Sequence, residues 1–138
     1  MSSQIQRLIR NQRGASMIEF AIAVPVLVLF IYGIFIVGML FQANAGMQHA
    51  LGEGARYATL CLNPNPTAGC TVPSNTQIQT VINAKLFGKG KGNFTVPTPT
   101  TGTGFRTLTV NYSVPTDFLF FPGPTVTMSQ TKKVYIAA

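Results

Sequence analysis

One run of 22 uncharged residues, Phe20 to Phe41, constrains the fold of this chain more than any other feature. At 1.5 Å per residue, 22 helical residues extend over about 33 Å, and the hydrocarbon core of a bilayer is about 30 Å thick. A secretory signal peptide is the main alternative, because "ANA" at Ala43 to Ala45 resembles a signal-peptidase site. The apolar part of a signal peptide is usually about 7 to 15 residues long, so the length favours a retained membrane helix.

The charged residues around this run predict its orientation. Three arginines and no acidic residue lie in the stretch 1–18, whereas the stretch 42–60 holds only Arg56, offset by Glu53. The positive-inside rule then places the N-terminus in the cytoplasm and residues 42–138 on the exterior side. The net charge of +7 does not indicate nucleic-acid binding, because the basic residues are dispersed and no nucleic-acid-binding motif accompanies them.

Beyond the apolar run, the helical pattern continues to about residue 60. Small residues recur at every fourth position, which places them on one face of the helix: Gly46, Ala50, Gly54 and Ala58. Small side chains let another backbone approach closely, so we expect this face to pack against the protein's own sheet or a partner helix. A flexible juxtamembrane linker is the alternative.

The two cysteines, Cys61 and Cys70, bracket a turn-rich segment. In an oxidising exterior compartment an isolated pair indicates one disulfide, worth about 2.5 to 3 kcal/mol in the chain-entropy model. A zinc site would need two more ligands, and His49 is the only histidine. We therefore expect neither a metal nor another cofactor.

The rest of the chain predicts the α+β class, with a short helix and an antiparallel sheet of about three strands after the long helix. The short helix is expected at about Thr76–Phe87, where apolar residues follow a 3–4 spacing, with Ser74 or Asn75 as its cap and Gly88 at its end. Apolar and polar residues alternate over 107–114 and again over 125–136, which is typical of half-buried strands.

An apolar cluster lies in the connection between these two strands. Its members are Phe118, Leu119, Phe120 and Phe121. A cluster at this position either belongs to the core or forms an exposed contact patch, and the sequence leaves both interpretations open.

The chemistry-bearing residues do not form a catalytic constellation, so we expect no enzyme activity. His49 and Glu53 lie four residues apart and are interpreted as an ordinary surface pair. The glycine- and lysine-rich stretch 88–93 lacks the phosphate-loop pattern G-x-x-x-x-G-K-S/T, and it is interpreted as a solvated turn.

The start of the apolar run resembles the processing site of type IV prepilins. In "RGASMIEFA", Gly14 follows the basic residues and Glu19 lies five residues later, at the beginning of the run. In that family a membrane-embedded aspartyl peptidase cuts after the glycine. The resemblance therefore implies a cleaved leader and Ala15 as the new N-terminal residue.

The longer stretch 13–59 resembles the TadE-like family of the bacterial tight-adherence (Flp-type) pilus system. The shared features are the spacing of Gly14 and Glu19, Pro25 six residues after the glutamate, and the "EGARYA" element at Glu53 to Ala58. The resemblance implies a minor pilin or pseudopilin of the bacterial inner membrane that can also enter an extracellular pilus and serve surface attachment. The implied partners are prepilin peptidase, other pilins and minor pilins, and the inner-membrane assembly platform, besides the lipid bilayer itself.

The resemblance implies physical roles for two residues, Glu19 and Pro25. After cleavage, the α-ammonium group of Ala15 would lie one helical turn from Glu19, and a carboxylate there also complements the helix dipole. In a filament, Glu19 could instead neutralise the N-terminus of a neighbouring subunit, and a merely interfacial glutamate remains the alternative. Pro25 removes the hydrogen bond to the carbonyl of Ala21 and should kink or loosen the helix.

The sequence thus predicts three parts: a cytoplasmic leader at 1–14, a long helix at 15–60 that spans the membrane at about 20–41, and an exterior domain at 61–138. Two alternatives stay open. One is an uncleaved single-pass component of the pilus assembly or secretion machinery, and the other is a secreted binding module released near Ala45.

Overall fold

The computed structural model describes residues 12–65, 69–117 and 122–136. A long helix comes first, and a short helix lies between two groups of strands: α1 (Gln12–Ala58), β1 (Asn63–Asn65), β2 (Gly69–Thr71), α2 (Asn75–Lys85), β3 (Asn93–Thr95), β4 (Thr100–Gly102), β5 (Phe105–Pro115) and β6 (Thr125–Tyr135). This arrangement confirms the predicted α+β class, with a long N-terminal helix, a short helix and an antiparallel sheet.

Helix α1 has 47 residues and therefore extends over about 70 Å. It continues through Pro25 without ending there. Its two halves have different surroundings: large apolar side chains are exposed from Met17 to Phe41, whereas Ala43 and Met47 are fully buried. The helix thus leaves the folded domain as a long apolar extension.

The sheet is built around β5. Strand β6 pairs antiparallel with β5 along its whole length, from Phe105 opposite Tyr135 to Pro115 opposite Thr125. Strands β3 and β4 pair with opposite ends of β5. Because β6 occupies one edge of β5, both short strands lie along the opposite edge. The main sheet therefore has four strands in three rows, and β1 and β2 form a separate short hairpin.

Alternating side chains of β5 build the sheet side of the core. Leu108, Val110 and Tyr112 are almost completely buried, as their alternation with polar residues predicted. On β6, Val134 is buried, and Val126, Met128 and Gln130 are half-buried, whereas Lys132 on the same face is exposed. One face of the sheet is thus covered by the helices, while the other is open to solvent.

Helix α2 begins with a capping box. The Ser74 side chain accepts a hydrogen bond from the Gln77 backbone N–H (3.3 Å), and the Gln77 side chain accepts one from the Ser74 N–H (2.9 Å). The helix ends at Lys85, two residues before the predicted end, because Leu86 has an extended backbone. Gly88, with φ of +77°, belongs to the turn that follows rather than to the helix end.

The small-residue face of α1 packs against α2 and the segment that follows it. Gly46, Ala50, Gly54 and Ala58 are all buried. A Cβ atom added at Gly46 would overlap the carbonyl oxygen of Phe87, and one added at Gly54 would overlap the Ile82 side chain. The protein's own second helix therefore occupies this face, which a partner helix cannot use while the domain is folded.

We expect Gly46→Ala to destabilise the domain by about 1 to 3 kcal/mol, because the added methyl group meets backbone atoms of Phe87 that have no alternative rotamer. Gly52→Ala is the matched control: no atom lies within 4 Å of its Cβ position. Alanine there should stabilise the helix by up to about 1 kcal/mol. Thermal unfolding of both variants in detergent measures the difference, and a Gly46→Ala variant as stable as the wild type would contradict this packing.

Candidate functional site

The main candidate site is the exposed part of α1 from Met17 to Phe41, which we call the apolar segment. Its side chains include several large apolar residues that are more than half exposed, among them Met17, Phe20, Phe30, Phe35 and Phe41. Within the described residues, α1 is the one helix long and apolar enough to cross a membrane, and none of its most apolar window is buried in the protein. A surface of this kind needs lipid or other apolar helices around it.

The proposed processing residues lie at the start of this helix. Gly14 is exposed, and a Cβ atom added there would have no atom within 4 Å. Glu19 is exposed and lies four residues after Ala15, which corresponds to about one helical turn. The structure thus leaves Gly14 and Glu19 accessible, and it places Ala15 and Glu19 at the i, i+4 spacing that brings two groups close on a helix.

The folded domain contacts the apolar segment at a position that the sequence analysis did not identify. The Tyr32 hydroxyl donates a hydrogen bond to the backbone carbonyl of Asp117 (2.7 Å). A narrow cleft between helix and sheet surrounds this bond and is lined by Ile36 and Met39 on one side and by Val114 and Pro115 on the other. A signal was present in the sequence, because Tyr32 carries the one polar side chain between Phe20 and Phe41.

One further hydrogen bond joins the domain to the helix, and a second one fixes a turn within the domain. The Gln130 side chain on β6 donates to the Asn44 side chain on α1 (3.0 Å). The Tyr112 hydroxyl donates to the carbonyl of Lys89 (2.8 Å), which holds the lysine-containing turn beside the sheet. Burial raises the pKa of Tyr112 above its ordinary value, so the hydroxyl stays protonated and remains a donor.

The disulfide lies beyond the C-terminal end of α1. Cys61 and Cys70 are bonded, with their Cα atoms 5.4 Å apart, and both residues are exposed. The bond closes the hairpin of β1 and β2. It therefore joins a peripheral loop and does not cross the core.

The remaining candidates do not assemble into a chemical site. The centre of the His49 ring lies 5.7 Å from that of the Phe87 ring, on the segment after α2. Among the described residues, no group of three or more His, Cys, Asp and Glu side chains could hold a metal ion. The apolar cluster Phe118 to Phe121 lies outside the described residues, so both interpretations of it remain predictions.

We expect Tyr32→Phe to loosen the contact between the domain and the apolar segment. The variant leaves the Asp117 carbonyl without this donor, and a typical hydrogen bond contributes about 0.5 to 1.5 kcal/mol. Hydrogen exchange at the Val114 and Thr116 amides should therefore be faster in the variant. Tyr135→Phe is the control, because Tyr135 is 75% exposed at the opposite end of the sheet. Unchanged exchange in Tyr32→Phe would show that the bond does not hold this end of the sheet.

The comparisons with known proteins concern α1. A family described as TadE-like protein matches residues 14–56, which include the apolar segment and most of the part of α1 that packs on the domain. The match begins at Gly14, the residue after which cleavage is expected. No curated protein and no solved structure matches the chain. The match confirms the resemblance drawn from the sequence: over residues 14–56, this chain is similar to TadE-like proteins.

Proposed function

We propose that this chain is a minor pilin or pseudopilin, which helps to assemble tight-adherence pili and through them serves surface attachment. The family implies association with the tight-adherence pilus. The observation that carries the finer proposal is the pairing of Gly14 and Glu19 at the start of an exposed apolar segment, where the family match also begins. Its role is structural, and no catalytic step is assigned to any residue.

In this proposal, prepilin peptidase removes residues 1–14 and leaves Ala15 at the N-terminus. The new α-ammonium group lies one helical turn from Glu19, and two opposite charges at that spacing stabilise each other. In lipid an unpaired charge is costly, so the pair allows the N-terminus to remain at the membrane. In a filament, Glu19 can instead neutralise the α-ammonium group of a neighbouring pilin.

The apolar segment supplies the surface for other pilins and for the assembly platform. It remains available because the small-residue face lies on a different part of α1 and is occupied by α2. Large side chains such as Phe30 and Phe35 are exposed and can pack between the helices of neighbouring subunits. The domain is expected to lie on the periplasmic side, where the oxidising conditions suit the Cys61–Cys70 bond.

The two alternatives differ from this proposal in the mature N-terminus. An uncleaved assembly component keeps Met1, a pilin begins at Ala15, and a secreted module released at Ala45 begins at Gly46. The packing argues against the third, because cleavage there would remove Ala43, which is fully buried in the core, and would cut a continuous helix. The mass and N-terminal sequence of the mature protein distinguish all three.

We expect Gly14→Ala to slow cleavage strongly, because the peptidase of this family cuts after glycine and a methyl group would enter a site shaped for none. Coexpression with active or inactive peptidase, followed by mass measurement, tests this. Gly33→Ala is the control, since it adds the same methyl group to the same helix at an open position, and it should be cut like the wild type. Identical masses of the wild type with active and inactive peptidase would contradict the processing proposal.

We expect Glu19→Gln to be cut normally but to enter pili or the minor-pilin complex several-fold less well. Glutamine keeps the shape and removes the charge that pairs with the mature N-terminus. The measurement is recovery with sheared pili or by crosslinking to other pilins, alongside the mature mass. Glu53→Gln, which removes a carboxylate outside the apolar segment, should behave like the wild type. If Glu19→Gln is incorporated as well as Glu53→Gln, the charge-pairing role of Glu19 is wrong.

A further inference from the structure

The end of the β5–β6 hairpin lies beside the apolar segment rather than beyond it. Tyr32 is bonded to the Asp117 carbonyl at 2.7 Å, and Ile36 and Pro115 line the same cleft. Tyr32 lies nine residues before Phe41, which corresponds to about 13 Å along the helix axis. The domain therefore extends along α1 well past the point where the apolar run ends.

This position conflicts with a bilayer whose hydrocarbon core reaches Phe41. In that placement, Asp117 would lie near the bilayer midplane, because half of the hydrocarbon core is about 15 Å thick. The Asp117 side chain is exposed on the protein surface. An exposed carboxylate at that depth is strongly disfavoured, so the hydrocarbon must end closer to Tyr32.

A shift of the bilayer toward the N-terminus removes the conflict. If the hydrocarbon core ends near Ile36, the roughly 20 residues that span it begin near Met17, whose side chain is 79% exposed. Residues 37–41 then cover about 7 Å of helix. The headgroup layer on each side of the core is about 5 to 7 Å thick, so residues 37–41 occupy that layer. Tyr32, to which the hairpin end is bonded, lies about 6 Å below Ile36 along the helix axis. The hairpin end therefore reaches the same layer when α1 tilts by about 30° with the domain on its upper side, which is within the usual range for membrane helices.

Two lysines lie at the same level. A Cβ atom added at Gly90 would be 3.6 Å from the Met39 sulfur, which places the turn against this part of the helix. The hydrogen bond from Tyr112 to the Lys89 carbonyl fixes the turn in place. Lys89 and Lys91 are both exposed, so the turn presents two ammonium groups at the level of the headgroups.

We propose that residues 89–91 and 115–117 form a basal rim that lies in the headgroup layer of the membrane. Lys89 and Lys91 contact the phosphates of anionic phospholipids there, and the hydrocarbon core ends near Ile36 instead of Phe41. The rim thus makes the domain a second membrane contact beside the helix. The inference rests on α1 spanning the bilayer, and it does not depend on the pilin role.

The backbone of the hairpin end suits a layer that is poor in water. Pro115, Pro122 and Pro124 have no N–H group and so leave no donor unpaired. Thr116 directs its N–H and its hydroxyl to the carbonyl of Pro124. Unpaired backbone groups are costly near lipid, and these residues lower their number at the place where the chain approaches it.

Tryptophan fluorescence tests the proposal directly, because the natural chain contains no tryptophan. Thr125→Trp places a probe at the hairpin end opposite Pro115, and Thr103→Trp places one in the turn between β4 and β5, at the other end of β5. Both positions are exposed, and the eleven residues of β5 separate them by about 33 Å. The full chain is reconstituted into vesicles of zwitterionic and anionic phospholipid that carry bromine high on the acyl chains.

We expect the Thr125→Trp probe to be quenched several-fold more strongly than the Thr103→Trp probe. Equal and weak quenching of the two probes would overturn the proposal. So would a blue-shifted Thr125→Trp emission without quenching, because protein and not lipid would then cover the hairpin end.

The lysines are tested in the Thr125→Trp background. Lys89→Gln with Lys91→Gln should lower the quenching and abolish its increase with anionic lipid content. Lys132→Gln with Lys133→Gln removes the same charge near the far end of β6, opposite Leu108 and Thr107, and should leave the quenching unchanged. Equal effects of the two pairs would show that general charge attraction, and not the rim, brings the domain to the membrane.

Discussion

Close packing between α1 and α2 is the contact on which the rest of the domain depends. Gly46 and Gly54 have no side chain, so α2 and the segment after it approach the backbone of α1 directly. The Ile78 and Ile82 side chains then fill the space between the helices and β5, and both are fully buried. The hydrogen bonds at Tyr32 and Asn44 add direct links between α1 and the sheet side of the domain.

Helix α1 therefore meets two environments in one continuous element. Its first half exposes large apolar side chains, and its second half buries small ones against the domain. Tyr32 in the first half and Asn44 in the second make hydrogen bonds to Asp117, just after β5, and to Gln130 on β6. This division explains why the helix is apolar on all sides before Phe41 and patterned on one face after it.

The long elements could be predicted from the sequence because each repeats one local pattern many times. The apolar run, the four-residue spacing of small residues and the alternation along β5 are patterns of this kind. Strands β3 and β4 have three residues each, which is too short for an alternation to be recognised, and they exist because β5 offers them an open edge. The candidate site divides in the same way. Gly14 and Glu19 belong to a local motif, whereas the bond from Tyr32 to Asp117 joins residues 85 positions apart and is visible only in the fold.

The continuity of α1 has a mechanical consequence for any movement along the membrane normal. No linker separates the apolar segment from the domain, so a displacement of one residue along the helix axis moves both by about 1.5 Å. A rotation of the helix turns the sheet with it, through the contacts at Tyr32 and Asn44. The one proline within α1, Pro25, lies below these contacts, so bending at that point leaves the part above it rigid. A force applied to the N-terminal end can thus tilt the helix below Pro25 first, while the domain and the helix above Pro25 move together.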